Sequence, residues 1–379
     1  MKHMKNYAVI FLFSLLMLVS FSLNISVEDV HAEEVQFSHN EYHYGQLNDE
    51  EKRIYGLCYD ACSKFQKKLK VVTTCDESSL ERIHTALRSD NPEFFWLNGM
   101  KYKITKIKSE NKVVLKFKVK DDTKSTYSKI SNYTDKIVNK ATGSNYAKVQ
   151  YFYKWICKNT KYKKGSKYNQ DVRSVFLNHK SVCHGYASAL LYLCNKVGIN
   201  CVLVSGDIKE SDISGRHAWN MVKLKGNWYN VDPTWGDKDY NKERGMSVEY
   251  GYLCFVNSDL NHKRILSNDR SYSAYKDNLV FSYPECTDTS LNYYRKHNLY
   301  IEDYSRKAIK NIFYDNIVDD EKDAVSVQFS SREVMKETKE DILKKYWNIF
   351  ANKYYDDLEY EELTVYIPKD LNVLTFTFE

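Results

Sequence analysis

The sequence predicts an α+β protein in which helices pack on antiparallel sheets, and three observations lead there. Apolar residues recur at helical spacing in several separate stretches. Segments that alternate at two-residue spacing stand between and after those stretches, joined by turn-forming residues. No period of roughly 20 to 50 residues runs through the chain, which excludes a repeat array. At 379 residues with 43% hydrophobic content, the chain is long enough for two or three packed units and is not a disordered one.

The first residues predict a compartment. Lys2 and Lys5 precede an apolar run from Ala8 to Leu23, and Val30-His31-Ala32 carries the pattern read before signal cleavage. Residues 1–32 therefore read as a signal peptide, with an uncleaved N-terminal anchor as the alternative. No cysteine follows the run before Cys58, which argues against lipid modification, and the C-terminal Leu374–Glu379 alternates like a strand. The mature chain is expected to be soluble outside the membrane, secreted or at a cell surface.

Residues 33–125 read as an N-terminal α+β accessory unit. Asn48 with Glu51 forms a capping-box pattern, followed by Ile54, Leu57, Cys58, Ala61 and Phe65 on one helical face. Leu80, Ile83 and Leu87 suggest a second helix that stops near Asn91-Pro92. FFWLNGMKYKITKIK and KVVLKFKVK then alternate like two strands.

Residues 126–288 read as the central unit. Val149, Phe152, Tyr153 and Ile156 mark one helix, and another starts around Cys183, carries Ala187, Leu190, Leu191, Cys194 and Val197, and ends at Gly198. NCVLVSG follows as a strand, then a polar loop from Asp207 to Arg216. HAWNMVKL, a Lys225-Gly226 turn and NWYNVDPTW complete a hairpin. Residues 289–379 read as a C-terminal α+β accessory unit. A strand bearing Val325, Val327 and Phe329 meets a Ser330/Glu333 capping box, a long helix carries Val334, Thr338, Ile342, Tyr346 and Ile349, and ELTVYIP and NVLTFTF close it.

Charge and cysteine usage narrow the function classes. The net charge of +6 is mild and spread without a basic block, so a nucleic-acid partner is not expected. The nine cysteines show no tight two-residue spacing, so neither a zinc site nor a disulfide framework is indicated, and buried free thiols are the preferred reading. No metal or organic cofactor is implied by any spacing, and no acidic calcium loop is present.

The chemistry concentrates in the central unit. The first turn of a helix stabilises a thiolate through its unpaired N–H groups and the positive end of the dipole, and Cys183 is placed there. Gly185 leaves room for a substrate backbone or a neighbouring element to approach. A two-residue turn at Lys225-Gly226 puts Asp232 opposite Trp219, so that His217 and Asp232 project from one face as diagonal neighbours. A turn one residue later would slide Asp232 opposite Met221 and keep the face. Cys183, His217 and Asp232 then have the roles of nucleophile, proton carrier and orienting carboxylate. The backbone N–H of Cys183 supplies one oxyanion donor, and Asn178 is a weak candidate for the second.

Other residues are weighed against structural roles. His184 is expected to turn away from the sulfur as a surface or loop histidine. Trp219 and Trp235 either line an acyl-donor groove or pack the hairpin. Tyr153 and Trp155 read as helix core. Asp259 and His262 either support the site or belong to a capped turn.

SVCHGYASALLYLCNKVGINCVLVSG, GRHAWNMVKLKGNWYNVDPTWGD and the spacing between them resemble the core of the transglutaminase-like superfamily, in particular its bacterial secreted members. The likeness covers about residues 126–260, and YGYLCFVNSDLNHKR resembles the tail of that core more loosely. Ser181 stands where a glycine is common. The resemblance implies a papain-like fold and a Cys183–His217–Asp232 triad. It points to acyl transfer on peptide or protein amides through a thioester, as a peptidase or amidase, with a crosslinking transglutaminase as the alternative. A non-catalytic cell-surface peptide-binding protein is the reading from another class. The flanking units are expected to be structural or substrate-positioning.

Overall fold

Three of the longer helices begin where a side chain caps them. The Asn48 side chain accepts from the Glu51 N–H at 2.9 Å while the Glu51 carboxylate accepts from the Asn48 N–H at 3.0 Å, which starts α1 (Asp49–Ser63). Asp76 caps α2 (Glu77–Asp90) by accepting from the Ser79 N–H, and Ser144 caps the helix at Asn145–Asn159 in the same way. The computed structural model describes residues 37, 41–209, 214–237, 248–261, 263–266, 281–313, 315–316, 324–341, 363–368 and 370–378. The signal-peptide reading lies outside the described residues, as do His262 and the expected inward residues Ile342, Tyr346 and Ile349.

Among the described residues, three sheets of three or more strands and one two-stranded pair carry the strands. The first is ordered β1 (Lys68–Thr73), β3 (Glu110–Lys116), β2 (Lys101–Ile107), all antiparallel. Sequence reading missed β1 and placed a strand over Phe94–Gly99, where Phe95–Gly99 form a short helical turn with Phe95, Trp96 and Leu97 buried. Aromatic bulk, not alternation, sets that segment. The helix α3 (Thr123–Val138) was also missed, and it spans the expected join near residue 125.

The central sheet comprises β6 (Cys201–Lys209), β7 (Ser214–Leu224), β8 (Asn227–Val231), β9 (Leu253–Phe255) and β10 (Lys263–Leu266), in the antiparallel order β10-β6-β7-β8-β9. The expected polar loop at 207–216 is mostly strand, because β6 and β7 stay paired to Lys209 opposite Ser214. Backbone ladder bonds tolerate exposed polar side chains there. The Lys225-Gly226 turn has positive φ at both residues (51° and 91°), as a two-residue hairpin requires, and puts Leu224 opposite Asn227 and Asn220 opposite Val231. The predicted register therefore holds.

Against this sheet lies α6 (Cys183–Lys196), whose residues from Gly185 to Asn195 are all buried. A helix buried all round belongs to the interior, and it ends two residues before Gly198, which adopts φ +68°. The short strands β4 (Lys161–Tyr162) and β5 (Lys180–Ser181) pair in parallel just before it, with α5 (Val172–Phe176) between them in sequence. The third sheet is ordered β11 (Tyr300–Ile301), β12 (Ala324–Phe329), β14 (Val373–Phe378), β13 (Leu363–Tyr366), with β11 and β12 parallel. A helix at Arg332–Asp341 places Met335 and Thr338 inward. The fold is α+β; among the described residues the larger hydrophobic core cluster runs from Leu47 to Phe376, and a smaller one gathers Val202, Val204, Trp219 and Met221.

Candidate active site

Cys183 is the first residue of α6, preceded by an extended Val182 that offers no side-chain cap. The Gly185 N–H of the first turn donates to the Val182 carbonyl at 3.0 Å, and the thiol sits at the positive end of the helix dipole. The sulfur is half-buried, hydrogen-bonded to His217 and approached by the backbone N–H of Ala218. Burial alone would raise its pKa, but these two contacts reverse the effect and hold it below the ordinary thiol value. Cys157 and Cys201 show the contrast, since burial drives both well above that value.

His217 stands on β7 and Asp232 on the residue after β8. The His217 Nε2 to Asp232 Oδ2 distance is 2.7 Å, with both side chains buried. An ionised carboxylate only accepts, so Nε2 is the donor and Nδ1 is the nitrogen left for Cys183. Asp232 is satisfied on both oxygens: Oδ1 accepts from the N–H groups of Thr234 (3.0 Å) and Trp235 (3.2 Å), capping the turn at Pro233–Gly236. Burial would raise its pKa, yet His217 and Arg264 together hold it far below the carboxylate range. For His217, burial lowers the pKa, but Asp232 and the Cys183 contact outweigh it and the net shift is upward. A lowered thiol beside a raised imidazole is the arrangement that favours a thiolate–imidazolium pair.

Arg264, on β10, was not singled out from the sequence. Its Nη1 donates to Asp232 Oδ2 at 2.6 Å, with both side chains fully buried. Its guanidinium lies 4.8 Å from the Phe255 ring centre and 5.0 Å from that of Trp235. An aromatic box around a buried cation keeps it desolvated and directed, so Asp232 is held from two sides. A single arginine at a strand edge carries no local signal of this kind; it is the last residue of the loosely resembling tail segment.

The remaining expectations divide. Asn178 donates its amide to the backbone carbonyls of Lys167 (3.2 Å) and Lys180 (3.4 Å), so it braces a turn and is not placed as an oxyanion donor. Gly185 accommodates a neighbouring element: a Cβ there would lie 2.0 Å from Ser181 Oγ and 2.5 Å from Ser174 Oγ. Those hydroxyls bond each other at 2.7 Å, which gives Ser181 a structural use. Trp219 is buried and donates Nε1 to Asn230 Oδ1 at 3.0 Å, so it packs the hairpin. Its ring stacks with His217 at 6.1 Å, and the half-buried Trp235 approaches that imidazole at 5.7 Å. Tyr153 is core, with Trp155 packed against it. Asp259 caps a turn by accepting from Val256 N–H at 3.0 Å. His184 is not a surface histidine: it is half-buried on α6 beside Arg88 of α2, and burial followed by that charge pushes its pKa down to about 3. All nine cysteines are free thiols. Among the described residues, no group of three or more His, Cys, Asp or Glu side chains is arranged to hold a metal ion.

This geometry lies within a recognisable sequence region. Residues 131–233 match the family model of the transglutaminase-like superfamily, so the middle of the chain is transglutaminase-like. Among curated proteins, the mouse (Mus musculus) kyphoscoliosis peptidase is 32% identical over 106 residues, covering 24% of this chain and 16% of the relative. The human (Homo sapiens) protein of that name is 33% identical over 95 residues, covering 22% and 14%. The chain thus spans only a small part of the relatives it matches. Two solved structures are also similar. One, described as a TGase, shows 14% identity and a TM-score of 0.25 over 48% of this chain and 53% of its own. The periplasmic domain of TgpA from Pseudomonas aeruginosa shows 16% identity and a TM-score of 0.24 over 36% and 56%.

Proposed function

We propose that the protein is a thiol-dependent acyl-transfer enzyme that hydrolyses peptide or protein amides through a Cys183 thioester. The observation carrying this reading is the contact chain Cys183–His217–Asp232 at the start of a buried helix, with the imidazole tautomer fixed by an ionised carboxylate. The thiolate attacks the amide carbonyl carbon, and the backbone N–H of Cys183 donates to the developing oxyanion. His217 gives its proton to the leaving amine as the C–N bond breaks, which leaves a thioester. It then takes a proton from water, whose oxygen displaces the thiolate and releases the carboxylic acid.

An amine acceptor in place of water would make the same thioester a crosslinking intermediate. The curated relatives are called peptidases, which favours hydrolysis. Residues 1–32 are proposed as a secretion signal, which puts the substrate outside the membrane. Among the described residues, no helix is long and apolar enough to cross one.

The test is the pH dependence of Cys183 alkylation by iodoacetamide, read by mass spectrometry on protein lacking residues 1–32. Fast reaction at mildly acidic pH that is lost in His217→Ala is the expected result, followed by turnover of an amide library that Cys183→Ala lacks. If Cys183 alkylates no faster than Cys286 at any pH, the enzyme reading fails and a peptide-binding role replaces it. Incorporation of a labelled amine into a glutamine-bearing protein without parallel hydrolysis would replace water with an amine as the acceptor.

A further inference from the structure

The sheet of β1, β3 and β2 carries a charge pattern that the linear sequence conceals. Its inward face holds Val71, Val113 and Leu115, all buried. On the outward face Lys68, Lys116 and Lys101 stand directly opposite one another across the three strands, and Lys70 and Lys103 flank Val114 in the next row. Lys112 lies between Val72 and Thr105 in the third row. All six lysines are exposed. Each strand supplies two of them, so no run of lysines marks the patch along the chain and only strand pairing assembles it.

Like charges in direct cross-strand register destabilise a sheet. Among the described residues none of the six lysines meets a carboxylate, whereas Lys64, Lys67 and Lys196 each pair with an aspartate. Glu110, at one end of the patch, is the only acidic residue in the three strands, so the face lacks its counter-charge. The strands contain no arginine, the side chain that grips a single phosphate or carboxylate with a fork. Their one aromatic, Tyr102, turns to the other face and donates to Glu81 of α2 at 2.9 Å, so no ring is offered to an unstacked base. Exposed instead are Val72 (37%) and Ile107 (50%), in adjacent rows at the Glu110 end. Lysines about 5 Å apart across strands and about 7 Å apart along them, with aliphatic side chains at one end, form a flat surface that is cationic and partly apolar. That combination fits the headgroup layer of an anionic bilayer, which takes up lysine charge diffusely and aliphatic groups at its boundary.

We propose that this sheet face docks the protein on an anionic lipid surface, with the lysines at the phosphates and Val72 and Ile107 at the acyl boundary. The docking is peripheral and reversible in salt. It does not depend on the thiol chemistry, and it gives the N-terminal region the role of holding the Cys183 site near substrates at that surface.

The test is co-sedimentation of residues 33–379, which contain every described residue, with lipid vesicles. Binding is expected on vesicles of phosphatidylglycerol and phosphatidylcholine in equal parts at about 0.1 M salt. It should be absent on phosphatidylcholine alone and lost at about 1 M salt, where the screening length shortens to roughly 3 Å. Lys68→Gln, Lys101→Gln and Lys116→Gln together should lower the partition coefficient about 100-fold, on the order of fivefold for each lysine at the surface. Lys68→Arg, Lys101→Arg and Lys116→Arg together should retain it. The same loss of charge on helix α3, by Lys124→Gln, Lys129→Gln and Lys136→Gln, should lower it by about threefold at most, because those charges lie away from the docked face. Thermal unfolding checks that each variant is folded, and an inert Cys183 would leave the vesicle result untouched. Equal loss in the α3 variant reduces the effect to net charge and overturns the proposal, as does undiminished binding of the glutamine variant of the sheet. Binding to soluble polyphosphate with none to vesicles also overturns it, in favour of a polymeric anion.

Discussion

Among the described residues, two buried histidine–aspartate pairs have the same length and stand in different surroundings. His217 and Asp232 are 2.7 Å apart, and so are His43 Nδ1 and Asp90 Oδ1. Asp90 also accepts from the backbone N–H groups of His43 (3.0 Å) and Tyr44 (3.0 Å), and its neighbourhood is aromatic, with Tyr55 within 3.4 Å and the Phe281 ring 4.9 Å from the imidazole. That pair pins the segment before α1 onto the end of α2. Asp232 differs in its surroundings: a thiol at a helix start stands on the far side of the imidazole, and a buried guanidinium shares the carboxylate. A close His–Asp contact is therefore not itself a candidate site; the neighbouring thiol and the buried cation make it one.

The comparison breaks most sharply by exchanging the consequences. Asp232→Asn should cost about 10⁴-fold in amide turnover with the fold retained, because the wrong tautomer is then favoured at His217. Asp90→Asn should leave the pH profile of Cys183 alkylation in place and instead lower stability by about 1–3 kcal/mol in urea unfolding, since two backbone donors and an imidazole lose a charged partner. Equal loss of turnover in both variants would erase the distinction drawn here.

Arg264 is the next lever. Arg264→Met leaves Asp232 without its buried cation and should cost about 3–5 kcal/mol of stability. A merely structural role would stop there. Because the Arg264 charge opposes protonation of His217, its removal should also move the alkaline limb of the alkylation profile to higher pH, and Arg264→Lys should restore the limb. A limb that does not move would confine Arg264 to packing.

The two regions should also differ in how pH acts on stability. Asp232 has a depressed folded pKa, so its contribution is present above the ordinary carboxylate pKa and is lost as pH falls. Glu41, two residues before His43, is pushed up to about 9 by burial first and then by Asp90. Its folded pKa exceeds its unfolded one, so the folded state holds the extra proton and stability falls as pH rises from about 4.5 toward 9. Glu41→Gln should flatten that slope in urea unfolding, by on the order of 1–3 kcal/mol at neutral pH. An unchanged slope would place the titration elsewhere.

The smallest effect concerns the turn beneath the thiol. Gly185→Ala forces a methyl group into the Ser174–Ser181 hydroxyl pair and should cost about 1–3 kcal/mol, with Ser181→Ala in the same chain recovering part of the midpoint. No recovery would mean that the Ser174 hydroxyl, 2.5 Å from the added Cβ, sets the limit.

Much of the site could be read in advance because it is built from local rules. Cys183 is followed by an apolar helical run, and the Lys225-Gly226 turn has only one two-residue register, which carries His217 and Asp232 to the same face. Asn48 and Glu51 announced their helix by side-chain chemistry three residues apart. Caps, turns and alternation link residues a few positions apart, so a single chain records them. Arg264 and the parallel pairing of β11 with β12 bring together residues that are far apart in sequence. Their neighbours along the chain say nothing about these meetings, because burial and partner charge come from packing. Tertiary structure alone decided that one arginine would be enclosed by aromatics against Asp232.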